Sequence, residues 1–320
     1  MKRSIQALSS ILALALAAGA AAAQQGAGAP SLPPAAGQNP SPMVEHTRAH
    51  ERLPERAVPG RERTFTGPAG KPVVVFVPAT TRRSDDLRLV IHFLGQRYVP
   101  ELAVSRLGGD RALAVVNIAP GSGAYAQAFA EPATYDSLLA GIAREVAAAM
   151  TRPGQPPPAV RFREVTLVGF SAGHGAIRQI LRDSAHFAAV DAVLLIDGLH
   201  TGYIPDRTVL AEGGQLDTTN LTVFERFARE AIAGRKRFLV THSEIFPGTF
   251  ASTTETSDWL IATLGLHRTP VVRWGPQGMQ QLSDTRAGRF RVLGFAGNSA
   301  PDHIDQFQGE PEFLEMIEHM

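Results

Sequence analysis

Short apolar runs alternate with amphipathic segments along most of the chain. Seven runs are rich in β-branched residues and bounded by turn residues, which is typical of buried strands. These runs span residues 72–79, 87–95, 112–120, 164–171, 190–198, 237–244 and 289–297. Four segments between them carry apolar residues at spacings of three and four, which is typical of helices. These segments span residues 137–150, 175–183, 220–232 and 256–266. Strands that are apolar on both faces and alternate with helices predict an α/β fold, with a mostly parallel central sheet flanked by helices.

The N-terminus has the pattern of a secretory signal peptide over residues 1–23. Lys2 and Arg3 precede an apolar run at residues 11–18, and a run of alanines ends at Ala23. This order of charged, apolar and small residues is the one that signal peptidases cleave. The apolar run is too short to span a bilayer well. We therefore predict a chain that is exported to the periplasm or secreted, with no membrane span in its mature form.

The composition of the rest of the chain predicts one domain behind a linker. Residues 24–60 are rich in Ala, Pro, Gly and Gln and lack an apolar period, which predicts a disordered linker. Residues 61–320 are enough for a single large α/β domain. The chain contains no cysteine, so the domain must be stable without disulfides.

The charge balance argues against a nucleic-acid partner. The chain has 31 Lys and Arg residues and 30 Asp and Glu residues, and the basic residues are mixed with acidic ones throughout. A protein that binds nucleic acid needs a clustered basic face. We expect a small-molecule substrate instead.

One motif at the end of the fourth apolar run carries candidate chemistry. The run leads into Gly-Phe-Ser-Ala-Gly at residues 169–173 and then into a predicted helix. In a strand-turn-helix elbow the central serine is a nucleophile in a strained conformation, and the residues two before and two after it must be small. Ser171 is therefore the predicted nucleophile, and Gly169 and Gly173 are the elbow glycines.

The same elbow predicts where an oxyanion would be held. The helix after Ser171 directs its free N–H groups toward the serine, so the Ala172 N–H is the first expected donor. A second donor is expected from the loop after the strand at residues 87–95. The N–H of Phe93 or of Leu94 is the candidate, and the sequence leaves the choice open.

The alternating strands and helices, the Gly-Phe-Ser-Ala-Gly motif and a histidine late in the chain together resemble the α/β-hydrolase superfamily, over about residues 64–315. The resemblance implies an eight-stranded fold or a trimmed version of it. It also implies a catalytic triad in the chain order Ser, acid, His.

The base of this triad is expected after the last strand. Of the 10 histidines, only His303 and His319 lie beyond residue 270. His303 follows the final predicted strand at the start of a predicted helix, whereas His319 lies in the terminal segment, where exposure is expected. His303 is therefore the predicted base.

Two residues are candidates for the acid. The superfamily usually supplies it after the seventh strand, where this chain has Glu244, but some members supply it one strand earlier, where Asp197 ends a predicted strand. We prefer Asp197 because its position at the strand end is well defined, and Glu244 is the alternative. Asp302 adjoins His303 and is expected to cap the helix rather than orient the imidazole.

The other histidines have structural interpretations. His92 is expected to shape the oxyanion loop, and His174 to be carried away from Ser171 by the turn of the helix. His200 and His242 end strands and are candidates for lining the cleft. Because their spacing matches no metal-ligand pattern, and because the chain has no phosphate-cradling or dinucleotide-binding motif, we predict no metal and no cofactor.

These residues predict an exported serine hydrolase, of the esterase or lipase type, that works through an acyl-enzyme. Its specificity is expected to come from the loops at residues 197–219 and 244–257. One alternative is a peptidase or acyltransferase of the same fold. Another is a catalytically silent, hydrolase-like binding protein, which is favoured if neither Asp197 nor Glu244 comes near His303.

Overall fold

The structure is a computed structural model that describes residues 53–320. The predicted signal peptide lies outside the described residues, as does the predicted linker before residue 53. Residues 53–59 form neither helix nor strand. The Leu53 N–H donates a hydrogen bond to Gln308 Oε1 at 3.0 Å.

Twelve strands and nine helices make up the described part of the chain. The strands are β1 (Gly60–Thr66), β2 (Pro72–Pro78), β3 (Leu87–Phe93), β4 (Arg111–Val116), β5 (Phe162–Phe170), β6 (Ala192–Ile196), β7 (Tyr203–Ile204), β8 (Gln215–Leu216), β9 (Arg237–His242), β10 (Thr269–Trp274), β11 (Gln280–Ala287) and β12 (Phe290–Phe295). The helices are α1 (Tyr98–Leu107), α2 (Ser122–Ala128), α3 (Pro132–Met150), α4 (His174–Ile180), α5 (Ser184–Ala189), α6 (Thr222–Ile232), α7 (Thr253–Thr263), α8 (Ala300–Gln308) and α9 (Glu310–Glu318). None of these helices is both long and apolar enough to cross a membrane.

Ten strands form one sheet in the order β1-β2-β4-β3-β5-β6-β9-β12-β11-β10. The six strands from β4 to β12 in this order are all parallel. Two antiparallel strands extend the sheet at each edge. The short strands β7 and β8 pair separately, within the loop that follows β6.

This architecture confirms the predicted fold class. Each of the seven predicted strands overlaps a strand of the sheet, and each of the four predicted helices overlaps a helix. The sheet has ten strands rather than the eight or fewer that the resemblance implies, because the β10–β11 hairpin pairs outside β12. The strands β1, β10 and β11, all of them antiparallel, were not predicted from the sequence. β1 and β10 are almost entirely exposed and so lack an apolar pattern.

The core lies on both faces of the sheet. In β3, Leu89 and Ile91 pack into one apolar cluster, whereas Val90 between them packs into the other. Helices α3, α4, α6 and α7 cover the first face, and α1, α8 and α9 cover the second. Burial on both sides explains why the central strands have nearly continuous apolar sequences.

The parallel strands bring distant parts of the sequence to one edge. The carboxyl ends of β3, β5, β6, β9 and β12 all open at the same end of the sheet, because these strands run in the same direction. Loops at this edge are where ligands bind in α/β sheets. The candidate residues Phe93, Ser171 and Asp197 all lie there.

Candidate active site

Ser171 lies on a sharp turn between β5 and α4. A 3-10 turn over Ser171–Gly173 joins the strand directly to the helix. The φ angle of Ser171 is +48°, in the left-handed region that residues with side chains adopt rarely and at a cost. This is the strained elbow that the sequence predicts for a nucleophile.

The two elbow glycines lie where a side chain would collide with the backbone. A Cβ on Gly173 would lie 2.2 Å from Phe93 O. A Cβ on Gly169 would lie 2.9 Å from Ile177 Cδ1 and 3.1 Å from His174 N. The strand, the turn and the neighbouring β3 therefore approach one another closely only because both positions lack a side chain.

Asp197 lies immediately after β6 and is buried, with 2% of its surface exposed. Its Oδ2 accepts hydrogen bonds from His303 Nδ1 at 2.7 Å and from Ser243 Oγ at 2.7 Å. Its Oδ1 accepts from Ser243 N at 2.9 Å and from Thr253 Oγ1 at 2.6 Å. Burial alone would raise the pKa of Asp197, but the hydrogen bond and charge attraction of His303, with the Thr253 and Ser243 bonds, hold it below its usual range.

Glu244, the alternative acid, lies elsewhere. Its side chain is exposed, and its backbone N–H donates to Gly297 O at 2.8 Å. Of the two acid candidates, the structure brings only Asp197 to His303. The condition that favours the silent binding-protein alternative, that neither acid comes near His303, is therefore not met.

His303 lies near the N-terminus of α8 and is fixed on two sides. Its Nδ1 is held by Asp197, and its ring lies against Phe170, with the ring centroids 4.5 Å apart. The N-cap of α8 is Ser299 rather than Asp302, which lies at the third helical position. Asp302 completes a capping box there, because its Oδ2 accepts hydrogen bonds from Ser299 N–H and Oγ at 2.8 and 2.6 Å. Because Nδ1 bonds to the acid, Nε2 is the nitrogen left for chemistry.

The backbone places Ser171 close to this pair. Phe170, which precedes Ser171, contacts the His303 ring, and a Cβ on Gly198, which follows Asp197, would lie 2.8 Å from Ser171 O. Within residues 53–320, no hydrogen bond joins Ser171 Oγ to His303. Such catalytic hydrogen bonds are often long before substrate binds and tighten in the complex.

The oxyanion candidates differ in their hydrogen bonds. Ala172 lies in the first turn after the strand, where backbone N–H groups have no acceptor within the helix. The Leu94 N–H, in contrast, donates to Val116 O at 3.2 Å. In this structure the Leu94 N–H is therefore already engaged with β4. Phe93, the last residue of β3, is itself paired with Val116 of β4 and Gly169 of β5. The second donor therefore stays a prediction.

A buried pair lies beneath this loop. His92 and Glu310 are both fully buried, with His92 Nδ1 3.1 Å from Glu310 Oε1. His92 Nε2 lies 3.1 Å from Leu94 O, and Leu94 has a φ of +67°. His92 thus holds the strained loop, as the sequence interpretation expected.

His174 differs from the sequence interpretation, which places it away from Ser171. Its ring folds back, and Nδ1 lies 2.9 Å from Ser171 O. Its ring centroid is 5.5 Å from that of His200, whose Nδ1 donates to Ala251 O at 3.2 Å. Burial lowers the pKa of His174 to about 3 and also lowers that of His200.

Other functional neighbours were not predicted from the sequence. Ser243 and Thr253, which hold the acid, lie in or beside the Ser- and Thr-rich loop after β9, and that composition was the signal available. His242 is buried rather than cleft-lining, and its Nε2 lies 2.7 Å from Arg268 Nη1. In the described part of the chain, no group of three or more His, Asp or Glu side chains is placed to hold a metal ion.

Comparison with known proteins gives distant structural matches only. No protein-family model and no curated protein matches the chain. Among solved structures, it is similar to an esterase from Pyrobaculum calidifontis, with 12% identity, coverage of 87% of this chain and 88% of that one, and a TM-score of 0.43. It is also similar to a cold-adapted esterase from an Arctic intertidal metagenomic library, with 16% identity, coverage of 83% and 96%, and a TM-score of 0.41.

At these identities and TM-scores, the matches assign no chemistry to this chain. The candidate site has a strand-turn-helix elbow at Ser171, followed along the chain by Asp197 and then His303. Both the elbow and the order of these residues are features of the α/β-hydrolase superfamily, which the mostly parallel sheet also resembles.

Proposed function

We propose that the chain is an exported serine hydrolase that cleaves carboxylic esters through an acyl-enzyme. The observation that carries the proposal is the 2.7 Å contact between Asp197 Oδ2 and His303 Nδ1, formed beside a strained serine elbow. A buried carboxylate that fixes one imidazole nitrogen leaves the other nitrogen to act as a base. Export is proposed from the N-terminal pattern of residues 1–23.

In the acylation step, His303 Nε2 takes the proton from Ser171 Oγ as this oxygen attacks the ester carbonyl carbon. The carbonyl oxygen becomes an oxyanion, which the Ala172 N–H and a second backbone N–H stabilise. Asp197 remains ionised and stabilises the imidazolium. When the tetrahedral intermediate collapses, the C–O bond breaks and His303 donates its proton to the leaving alcohol.

In the deacylation step, His303 accepts a proton from a water molecule that attacks the acyl carbon. A second oxyanion forms at the same place and collapses, which breaks the bond to Ser171 Oγ. His303 returns the proton to this oxygen, and the carboxylic acid leaves. One base therefore serves both half-reactions.

The proposal is tested with a soluble activated ester, p-nitrophenyl acetate. We expect Ser171→Ala and His303→Gln each to lower kcat by roughly a thousandfold or more, since each removes a member of the triad. His319→Gln is the matched control, because this histidine is exposed, and it should leave kcat unchanged. Full activity in Ser171→Ala would overturn the proposal.

A p-nitroanilide with the same acyl group distinguishes the reaction class. An esterase is expected to cleave the ester and leave the anilide essentially intact. Comparable turnover of both would favour a peptidase of the same fold.

A further inference from the structure

His174 holds the peptide unit that carries the predicted oxyanion donor. We propose that His174 is a positioning residue that aims the Ala172 N–H at the oxyanion by gripping the Ser171 carbonyl. The inference rests on the proposed function, because it assigns a role within the same site. It goes beyond the triad, since it concerns how the donor is oriented.

The geometry of the peptide bond links the two ends of this unit. The Ser171 carbonyl and the Ala172 N–H belong to one peptide, which is planar. In a trans peptide the two groups point in opposite directions, so an interaction that fixes the oxygen also fixes the direction of the N–H. His174 Nδ1 lies 2.9 Å from Ser171 O. Because a carbonyl oxygen only accepts, Nδ1 carries the proton and donates.

The carbonyl oxygen is confined from a second direction. A Cβ on Gly198 would lie 2.8 Å from Ser171 O and 3.0 Å from Ser171 N, so the turn after Asp197 packs directly against this peptide. Ser171 has a φ of +48°, which costs free energy unless neighbouring contacts enforce it. The His174 bond is one such contact, and it acts on the peptide unit that follows the strained residue.

The protonation state of His174 allows its Nδ1 to donate the same hydrogen bond throughout the neutral pH range. The side chain is buried, with only 2% of the residue exposed, and burial keeps its pKa near 3. The ring is therefore neutral at neutral pH, with its proton on Nδ1. A hydrogen bond to a carbonyl also polarises the N–H of the same peptide, which makes Ala172 a better donor to a negative oxygen.

The test compares three substitutions that differ in where they place a donor. His174→Asn keeps an N–H at about the position of Nδ1. His174→Leu removes the donor, and His174→Gln moves it outward, to about the position of Nε2. The readouts are kcat and KM for p-nitrophenyl acetate, and the inhibition constant of a trifluoromethyl ketone, whose adduct with the serine carries an oxyanion.

We expect the Leu and Gln variants to lose about tenfold in kcat with little change in KM, as befits one hydrogen bond that acts in the transition state. The trifluoromethyl ketone should bind more weakly by about the same factor. Asn should restore most of kcat and of inhibitor affinity. His186→Leu is the matched control, since His186 is another buried histidine, bonded to Asp136 on a different part of the fold, and it should change neither constant.

A structural role alone would give a different result. Each variant is titrated with a fluorophosphonate, so that kcat is expressed per reactive serine. If His174→Leu lowers only the reactive fraction, or lowers kcat without weakening the ketone, the inference is overturned. If His174→Leu does not fold, the comparison of the Gln variant with the Asn variant decides.

Should the wild-type chain neither react with the fluorophosphonate nor cleave the ester, the proposed function itself fails, which is a separate outcome.

Discussion

At the scale of single residues, the side chain of Asp197, the proposed acid, is held by several hydrogen bonds. Four donor groups from three residues, His303, Ser243 and Thr253, point at the two oxygens of Asp197. A buried carboxylate is costly unless it is paired and hydrogen-bonded. The surrounding bonds therefore keep Asp197 charged, so that it can stabilise a protonated His303.

The first prediction follows from this arrangement. Asp197→Asn removes the charge and favours the wrong imidazole tautomer, so kcat should fall by roughly a thousandfold to ten-thousandfold, as for other triads. Glu244→Gln is the control, because that carboxylate is exposed and away from His303, and its kcat should equal the wild-type value. Steady-state kinetics on p-nitrophenyl acetate measure both. The reverse result, with only Glu244→Gln inactive, would identify Glu244 as the acid.

The positions of some site residues could be predicted from the sequence, whereas some of their hydrogen bonds could not. Ser171, His303 and Asp197 follow strand ends, and strand ends can be read from apolar runs. The hydrogen bond between His174 and Ser171 could not be predicted, because helical spacing gives the face of the helix on which a residue lies but not the rotamer of its ring. The hydrogen bond from the Leu94 N–H to Val116 O could not be predicted either, since it depends on where β3 and β4 stop pairing.

At the scale of elements, the junction between β5 and α4 is set by close packing. Gly173 lies against the Phe93 carbonyl at the end of β3. The same junction positions Ser171, the proposed nucleophile, and Ala172, the first proposed oxyanion donor. A change that separates the helix from the strand should therefore damage stability and activity together.

A second prediction tests this junction. In Gly173→Ala the new methyl group would meet backbone rather than a flexible side chain, so the free energy of unfolding should fall by at least about 2 kcal/mol, with loss of esterase activity. Gly123→Ala is the matched control. Gly123 lies in α2, and nothing lies within 4 Å of a Cβ placed on it. This substitution should change the free energy of unfolding by less than about 1 kcal/mol, in the stabilising direction.

Urea unfolding of both variants measures the difference. A fully stable Gly173→Ala would show that the strand and helix are not packed as described. If the Gly173→Ala variant were destabilised but still active, the close packing at this junction would not be needed for activity.

The element scale explains why the fold class was predictable and the full sheet was not. β3, β5, β6, β9 and β12 are buried on both faces, and each leaves a continuous apolar run. β11 buries alternate residues only, and β1 and β10 bury almost none. Edge strands are defined by backbone pairing, which the side-chain pattern does not record.

At the scale of the whole molecule, the burial of neutral histidines makes the free energy of unfolding depend on pH. Burial lowers the pKa of His174 to about 3, and burial together with the nearby Arg268 lowers that of His242 to about 4. In the unfolded chain these groups return to a pKa of about 6.5. Below pH 6.5 the unfolded state therefore binds protons that the folded state does not.

The third prediction is the sign and slope of this dependence. Because the unfolded state binds more protons, the free energy of unfolding should decrease as the pH falls from 6.5 toward 4, by up to about 1.4 kcal/mol per pH unit for each such histidine. In His174→Asn the slope should be smaller by about that amount. Urea titrations at a series of pH values measure the slope. An unchanged slope in the variant would mean that His174 titrates normally in the folded protein.

Labelling with a fluorophosphonate tests most directly whether Ser171 is the nucleophile of a site completed by His303 and Asp197. The reagent is incubated with the purified protein, and the adduct is located by peptide mass mapping. We expect one adduct, on Ser171, and none in Ser171→Ala. Labelling that persists in Ser171→Ala, or an adduct on another residue, would contradict the account.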